Sequence, residues 1–186
     1  MSADAITLAS GSPRRKALLE PLYRLVVAPV GIDESPHPHE DAVEYALRMA
    51  REKCVGEGAF VLSADTVVHA GSELFNKPRN PDHAVSMLLA LSGREHRVTT
   101  AFALNGAAEA VTSTVRFRQL SEGEVRGYVA TGEPLDKAGA YGIQGIGGFL
   151  VASIQGSYSN IVGLPLAEVI AALNRAGAPR PFSETA

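Results

Sequence analysis

The chain has one cysteine, Cys54, and no tryptophan in its 186 residues. A single thiol excludes a disulfide framework and a thiolate metal site, and such usage fits a reducing compartment. Cys54 falls in a helical pattern, where a free cysteine serves as a small hydrophobe, so it is a poor candidate nucleophile. Basic residues are not in excess: 17 Lys and Arg stand against 20 Asp and Glu, a formal net charge of −3. Proteins that coat polyanions depend on a basic surface, so a general nucleic-acid binder is excluded and the local cations must serve something small. No apolar run is long enough to span a bilayer, and no basic segment followed by a long apolar run opens the chain. A soluble cytoplasmic protein with no membrane partner is expected. There is no GxSxG elbow, no GxxxxGK phosphate loop and no well-placed GxGxxG, which leaves serine hydrolase, standard NTPase and dinucleotide readings without support. The five histidines lack HxxxH spacing. They read as surface or satisfied structural residues rather than metal ligands.

What is present begins as alternating strands and helices. A strand is expected over 5–9, a helix over 13–19, a strand over 25–27, then a polar loop through Pro38. Val43, Ala46, Leu47 and Ala50 recur at helical spacing and predict a helix over about 40–55, closed by Gly56 and Gly58. The nearly continuous apolar run 59–69 reads as a buried strand with a turn after it. A short amphipathic helix is expected over 81–91, closed by Ser92-Gly93. Strands over 97–104 and 111–120 flank Asn105-Gly106, a strong hairpin signal. Ser121 and Glu124 form a capping box for a helix to about 130. A glycine-rich stretch, a strand over 149–154 and a helix over about 165–173 complete the pattern, and the Ala-, Pro- and Gly-rich end from 175 is expected to fray. Alternation followed by hairpins places the chain in the α/β class with a mixed central sheet and flanking helices.

Leu8-Ala9-Ser10-Gly11-Ser12-Pro13-Arg14-Arg15-Lys16 carries an apolar strand into a helix start with three positive charges in its first turn. Ser12 reads as the N-cap and Pro13 as the first helical residue, so the positive end of the helix dipole already lies there and cations are disfavoured. A local rule broken this plainly marks a site. An anion is the missing partner, because helix N–H groups, small hydroxyls and paired guanidiniums together receive phosphate. The plainer reading is a surface helix whose arginines point to solvent. Asp65 interrupts the buried run Phe60-Val61-Leu62-Ser63-Ala64-Asp65-Thr66-Val67-Val68, where an unpartnered carboxylate is costly. A metal ion, a catalytic duty, or a capping role at a strand end would each account for it. Glu34 follows a predicted strand and can share a hard cation with Asp65, as Mg²⁺ takes one or two carboxylates and completes its shell with water and phosphate oxygens. Lys53 near a helix end and Lys77, held extended by Pro78, supply further cations, although a helix lysine is commonly only solvated. In the block Gly132 to Gly145, continued by Gly147 and Gly148, the glycines permit close approach of a flat ligand or simply build a tight loop, and Gln144 offers a donor and an acceptor to a base edge.

Ser10-Gly11-Ser12-Pro13-Arg14-Arg15, Asp33-Glu34, Arg51-Glu52-Lys53, Ala64-Asp65-Thr66, Lys77-Pro78, Ser92-Gly93 with His96, the Glu133 to Gly145 block and Ser157-Tyr158-Ser159-Asn160-Ile161-Val162-Gly163-Leu164-Pro165 occur in that order. Together they resemble the Maf family of nucleoside triphosphate pyrophosphatases from about Ile6 to Leu173. The resemblance implies a single Maf-like domain over 1–175, a flexible tail over 176–186, and a fold like that of the inosine triphosphate pyrophosphatases, with two lobes around a cleft. It implies cleavage of a nucleotide to monophosphate and pyrophosphate with Mg²⁺ or Mn²⁺, and a homodimer. Asp65 matches the proton acceptor, while Ser10, Arg14, Arg15, Glu34, Lys53 and Lys77 match phosphate and metal positions, the metal falling to Asp65 and Glu34. Arg14, Thr66 and Gln144 match specificity markers of the branch acting on dTTP and UTP. The sister branch, which takes 7-methyl-GTP, has an aromatic residue, glutamine and glutamate there. The alternatives are that second activity, or a non-catalytic nucleotide-binding regulator of cell division. Leu22-Tyr23 stands where the family often has glycine after the first helix, so the register of the second strand is for the structure to show.

Overall fold

The computed structural model describes residues 5–182. Strand β1 (Ile6–Leu8) is wholly buried and lies parallel to both β2 (Leu25–Val27) and β3 (Phe60–Ala70). Its register pairs Ile6 with Leu25 on one side and with Phe60 on the other. Helix α1 (Pro13–Leu19) starts where expected, with the Ser12 side chain accepting from the Arg15 backbone N–H and Pro13 in the first turn. After it, the N–H groups of Leu22 and Tyr23 both return to the Leu19 carbonyl, so a turn without glycine carries the chain into β2.

Helix α2 (Ala42–Lys53) opens on a capping box between Asp41 and Glu44. It stops at Lys53, before the two glycines expected to close it, and Cys54 is the cap residue. The thiol is therefore not a helix-borne hydrophobe: it is half-buried, donates to the Val61 carbonyl at 3.3 Å and accepts from the Gly106 N–H at 3.3 Å. Beyond β3 and its short antiparallel partner β4 (Glu73–Leu74), α3 (Pro81–Leu91) is capped by Asn80. Strands β5 (Glu95–Leu104) and β6 (Ala107–Phe117) are joined by Asn105 and Gly106. Their φ values of 50° and 86° are the paired positive angles a two-residue hairpin turn requires. Helix α4 (Glu122–Ala130) has the Ser121–Glu124 capping box and packs on α3. The glycine-rich stretch is a succession of 3-10 turns, Glu133–Asp136, Ala138–Ala140 and Ile146–Leu150, leading into β7 (Val151–Gln155), antiparallel to β6. A short helix absent from the sequence expectations, α5 (Tyr158–Val162), precedes α6 (Leu166–Arg175).

The strand order is β2-β1-β3-β5-β6-β7, with β4 on β3, so the protein is α/β with a mixed sheet and flanking helices. Two compact units divide the chain, and β3, β5 and β6 each run from one into the other. The first comprises the chain up to Asp65, 100–111 and the part from Gly163 onward; the second comprises 66–99 and 112–162. Each has its own core. In the first, Ile6, Leu8, Leu62 and Phe102 of the strands pack with Leu19, Val169 and Leu173 of the helices. In the second, Leu88 and Leu91 of α3 and Val125 of α4 pack with Val98, Val115 and Phe117. Within the segment expected to be a flexible tail, Ala178 is buried in the first core and its N–H donates to the Leu173 carbonyl. Residues 183–186 of that tail lie outside the described residues. Among the described residues no helix is long and apolar enough to cross a membrane.

Candidate active site

The first unit gathers Ser10, Arg15, Glu34, Lys53 and Asp65. Lys53 ends α2, is buried, and places its Nζ 2.7 Å from Asp65 Oδ1 and 2.7 Å from Glu34 Oε1. The buried-strand carboxylate thus has its partner inside the protein. Asp65 is 13% exposed at its side chain and Glu34 49%, so one end of this bridge is held in the interior and the other is wet. Arg15 donates from Nε to the Gly163 carbonyl at 2.8 Å and from Nη1 to Ser10 Oγ at 3.1 Å. Burial pushes its guanidinium below the ordinary arginine value, Asp65 and Glu34 oppose that shift, and neighbouring Arg14 adds to it. Arg15 therefore builds the site as well as charging it, fixing both the Ser10 hydroxyl and the chain at Gly163. The helix it sits on has only seven residues. So short a helix has little dipole, and the positive field here comes mainly from the arginines and Lys53 rather than from the helix end.

Two further residues, which no motif flagged, set the Glu34 loop. Tyr45 on α2 donates to the Glu34 carbonyl at 2.7 Å, and its phenol is pushed up to about 12 by burial, with Asp65 and Glu34 adding to the shift. Arg48, one turn further along α2, donates to the Ser35 carbonyl and pairs with Glu40 at 2.7 Å. Tyr45 and Arg48, three residues apart, share one side of α2. That spacing was the available signal, but tyrosine and arginine on a helix carry no meaning until the loop they hold is known. Asp65 and Glu34 offer hard oxygen donors that converge on a single cationic atom, the donor chemistry Mg²⁺ or Mn²⁺ accepts alongside phosphate oxygens. No third His, Cys, Asp or Glu joins them in a metal-holding group among the described residues.

Thr66, Lys77 and Gln144 belong to the second unit. Thr66 is half-buried in β3, Lys77 is exposed in the loop after β4, and Gln144 is exposed between two 3-10 turns. The loop bearing Gln144 hangs on Glu133. The Glu133 carboxylate accepts from the Tyr128 hydroxyl at 2.8 Å, the Ile146 N–H at 2.8 Å and the Gly147 N–H at 2.9 Å. Burial alone would raise this carboxyl; the Gly147 and Ile146 N–H groups, the Tyr128 hydroxyl and Lys137 outweigh it and hold it below the usual value. Two of the glycines here, Gly145 and Gly147, make room for protein side chains. A Cβ on Gly145 would fall against the Glu133 carboxylate, and one on Gly147 would meet the Tyr128 hydroxyl at 2.5 Å.

Ser157-Tyr158-Ser159-Asn160 is likewise structural. Fully buried Asn160 donates from Nδ2 to the Val98 carbonyl and to Ser113 Oγ, both at 2.9 Å. Of the histidines, His37, His39 and His83 lie toward the surface, while His69 and His96 are buried. His69 contacts Thr99 Oγ1 at 3.1 Å and His96 Nε2 meets the Tyr141 hydroxyl at 2.9 Å. His96 is only partly satisfied, since its Nδ1 is buried without a hydrogen-bond partner.

Residues 5–176 match the Maf-like protein family. The chain belongs to the Maf family. It is 52% identical over 193 residues to the dTTP/UTP pyrophosphatase of Myxococcus xanthus, covering 98% of both chains. The dTTP/UTP pyrophosphatase of an Anaeromyxobacter species is 51% identical over 191 residues, 97% of this chain and 93% of that one. That of Escherichia coli O157:H7 is 46% identical over 189 residues, 95% of each. Among solved structures, a HAM1 protein from Coxiella burnetii aligns over 61% of this chain and 72% of its own with TM-score 0.41 and 19% identity. A likeness of that size bears on neither substrate nor mechanism.

Proposed function

We propose that this Maf-family protein is a nucleoside triphosphate pyrophosphatase that cleaves dTTP and UTP to the monophosphate and pyrophosphate. The observation that carries the reading is the Asp65–Lys53–Glu34 bridge beside Arg15 and Ser10: an acid–base carboxylate in contact with fixed cations, as cleavage of a phosphoanhydride needs. The substrate pair comes from the names of the near full-length relatives. In this mechanism Ser10, Arg14 and Arg15 bind the triphosphate. Lys53 and Lys77 spread positive charge over its oxygens and stabilise the departing pyrophosphate. Asp65 orients and deprotonates the water that attacks the α-phosphorus, with its own orientation set by Lys53. A divalent cation, Mg²⁺ or Mn²⁺, would be held by Asp65 and Glu34 and would supply neutralisation of phosphate charge. Gln144 reads the base, its amide offering the donor and acceptor that the edge of uracil or thymine complements, and Thr66 contributes to the same selection. A homodimer in the cytoplasm accompanies this reading.

The test is release of pyrophosphate versus phosphate from dTTP, UTP, CTP, GTP and 7-methyl-GTP with Mg²⁺ or Mn²⁺. Pyrophosphate from dTTP and UTP above the others is the expected result. Preferential turnover of 7-methyl-GTP would overturn the base assignment, and nucleotide binding without turnover would make the protein a sensor.

A further inference from the structure

We infer that Glu133 is a positioning residue for base recognition: its carboxylate, together with the Tyr128 hydroxyl that donates to it, holds both feet of the loop that presents Gln144, and the nucleotide's base is recognised only while that clamp is closed. The inference rests on the proposed role of Gln144. The loop is pinned at each end to one pair of side chains. At its far end the Ile146 and Gly147 N–H groups donate to Glu133 Oε2 and Oε1 at 2.8 and 2.9 Å. At its near end the Gly142 N–H donates at 3.2 Å to the Tyr128 hydroxyl, which itself donates to Glu133 Oε1 at 2.8 Å. Tyr128 is rigid, being 3% exposed in the core of the second unit and edge-on to Phe149. Gln144 sits between the two anchors and is exposed, so nothing but the loop backbone decides where its amide is presented.

The glycines show how closely the loop is drawn onto the clamp. The Gly145 Cα lies so near the carboxylate that any side chain there would displace Glu133, and Gly147 is as close to Tyr128. Lys137 reinforces the arrangement by donating to the Glu133 carbonyl, tethering the backbone that bears the carboxylate. A carboxylate is an acceptor at both oxygens, whereas a glutamine of the same shape presents an NH₂ to one of the backbone donors. Glu133→Gln therefore breaks part of the clamp while keeping its volume, and the loop gains freedom that substrate binding must remove.

The experiment measures kcat and KM for dTTP in the wild type, Glu133→Gln, Gln144→Ala and the double variant, with amide hydrogen exchange on the first two. Glu133→Gln is expected to raise KM about tenfold, the equivalent of one charge-assisted hydrogen bond, with kcat within about twofold. Exchange at Ile146 and Gly147 should accelerate. In the Gln144→Ala background the same substitution should leave KM unchanged, because a residue acting through Gln144 has nothing left to position. Equal effects in both backgrounds, a loss confined to kcat, or an unchanged KM in the single variant would each overturn the inference. Should Glu133→Gln fail to fold, Tyr128→Phe removes only the hydroxyl and is expected to raise KM in the same direction, and an unchanged KM would be equally decisive. A wild type that releases no pyrophosphate from dTTP overturns the proposed function itself, and this inference with it. An active wild type with an inert Glu133→Gln overturns only the clamp.

Discussion

Replacing Lys53 by methionine separates the structural from the chemical role of the bridge at the end of α2. The substitution keeps most of the buried stem and removes the ammonium, leaving Asp65, only 13% exposed, without its 2.7 Å partner. Glu34, at 49% exposed, is already in contact with water, so its loss of Lys53 weighs less. Two unit charges at this distance attract by about 6 kcal/mol at an effective dielectric constant of roughly 20. Much of that only offsets desolvation, and breaking such a pair by deleting one partner costs about 3 kcal/mol because an uncompensated charge stays behind. Urea unfolding is the assay. With a slope of roughly 1–3 kcal/mol per molar, the midpoint should fall by about 1–3 M. The double variant Lys53→Met with Asp65→Asn removes both charges and should recover about 2 kcal/mol of that loss, a coupling visible only if the two groups act as a pair. Additive effects, or a midpoint within about 0.2 M of the wild type for Lys53→Met, would refute the reasoning.

Three other outcomes follow from the geometry. Asp65→Asn should lower pyrophosphate release by roughly 10²–10⁴-fold, the usual contribution of a general base, yet unfold less easily than Lys53→Met because Lys53 retains Glu34; steady-state assays and urea melts on the same preparation decide it, and retained turnover would remove Asp65 from the reaction. Arg15→Lys cannot hold Gly163 and Ser10 at once and should cost about 1–3 kcal/mol of stability while raising KM for the triphosphate, so an unchanged Tm would show that the 2.8 Å bond to Gly163 is dispensable. His96 is lowered to about 4 from an ordinary value of 6.5, by burial first and by His69 second, and it adjoins the Tyr141 hydroxyl. Its folded-state pKa is depressed, so the unfolded chain takes up the proton first, and stability present above pH 6.5 is lost as the pH falls toward 4. The loss is about 3 kcal/mol over that window. His96→Gln should flatten that part of the stability–pH curve, and an unchanged slope would assign the loss to carboxylates instead.

Much of the fold was legible because its signals act over a few residues. Ser12 before Pro13, the Ser121–Glu124 box and Asn105-Gly106 each specify backbone angles through their immediate neighbours, and each stands in the structure where the sequence placed it. The short helix α5 and the 3-10 turns of the glycine-rich stretch were not legible, since both are too short to show a period. The partner of Asp65 lay hidden for a different reason: Lys53 is twelve residues away on another element, and a lysine on a helix face carries no mark of what it meets.

By itself, the sequence determined the α/β class, the separate elements and the residue types available for phosphate chemistry, because propensity, capping and hydrophobic period are local properties. Tertiary structure alone decided the pairings. Arg15 reaches Gly163 across 148 positions, Tyr45 fixes the Glu34 carbonyl, and the glycines around Gln144 give clearance to Glu133 and Tyr128. A glycine that clears a ligand and one that clears a carboxylate are the same letter, and only the packed chain shows which atom occupies the space where the missing side chain would stand.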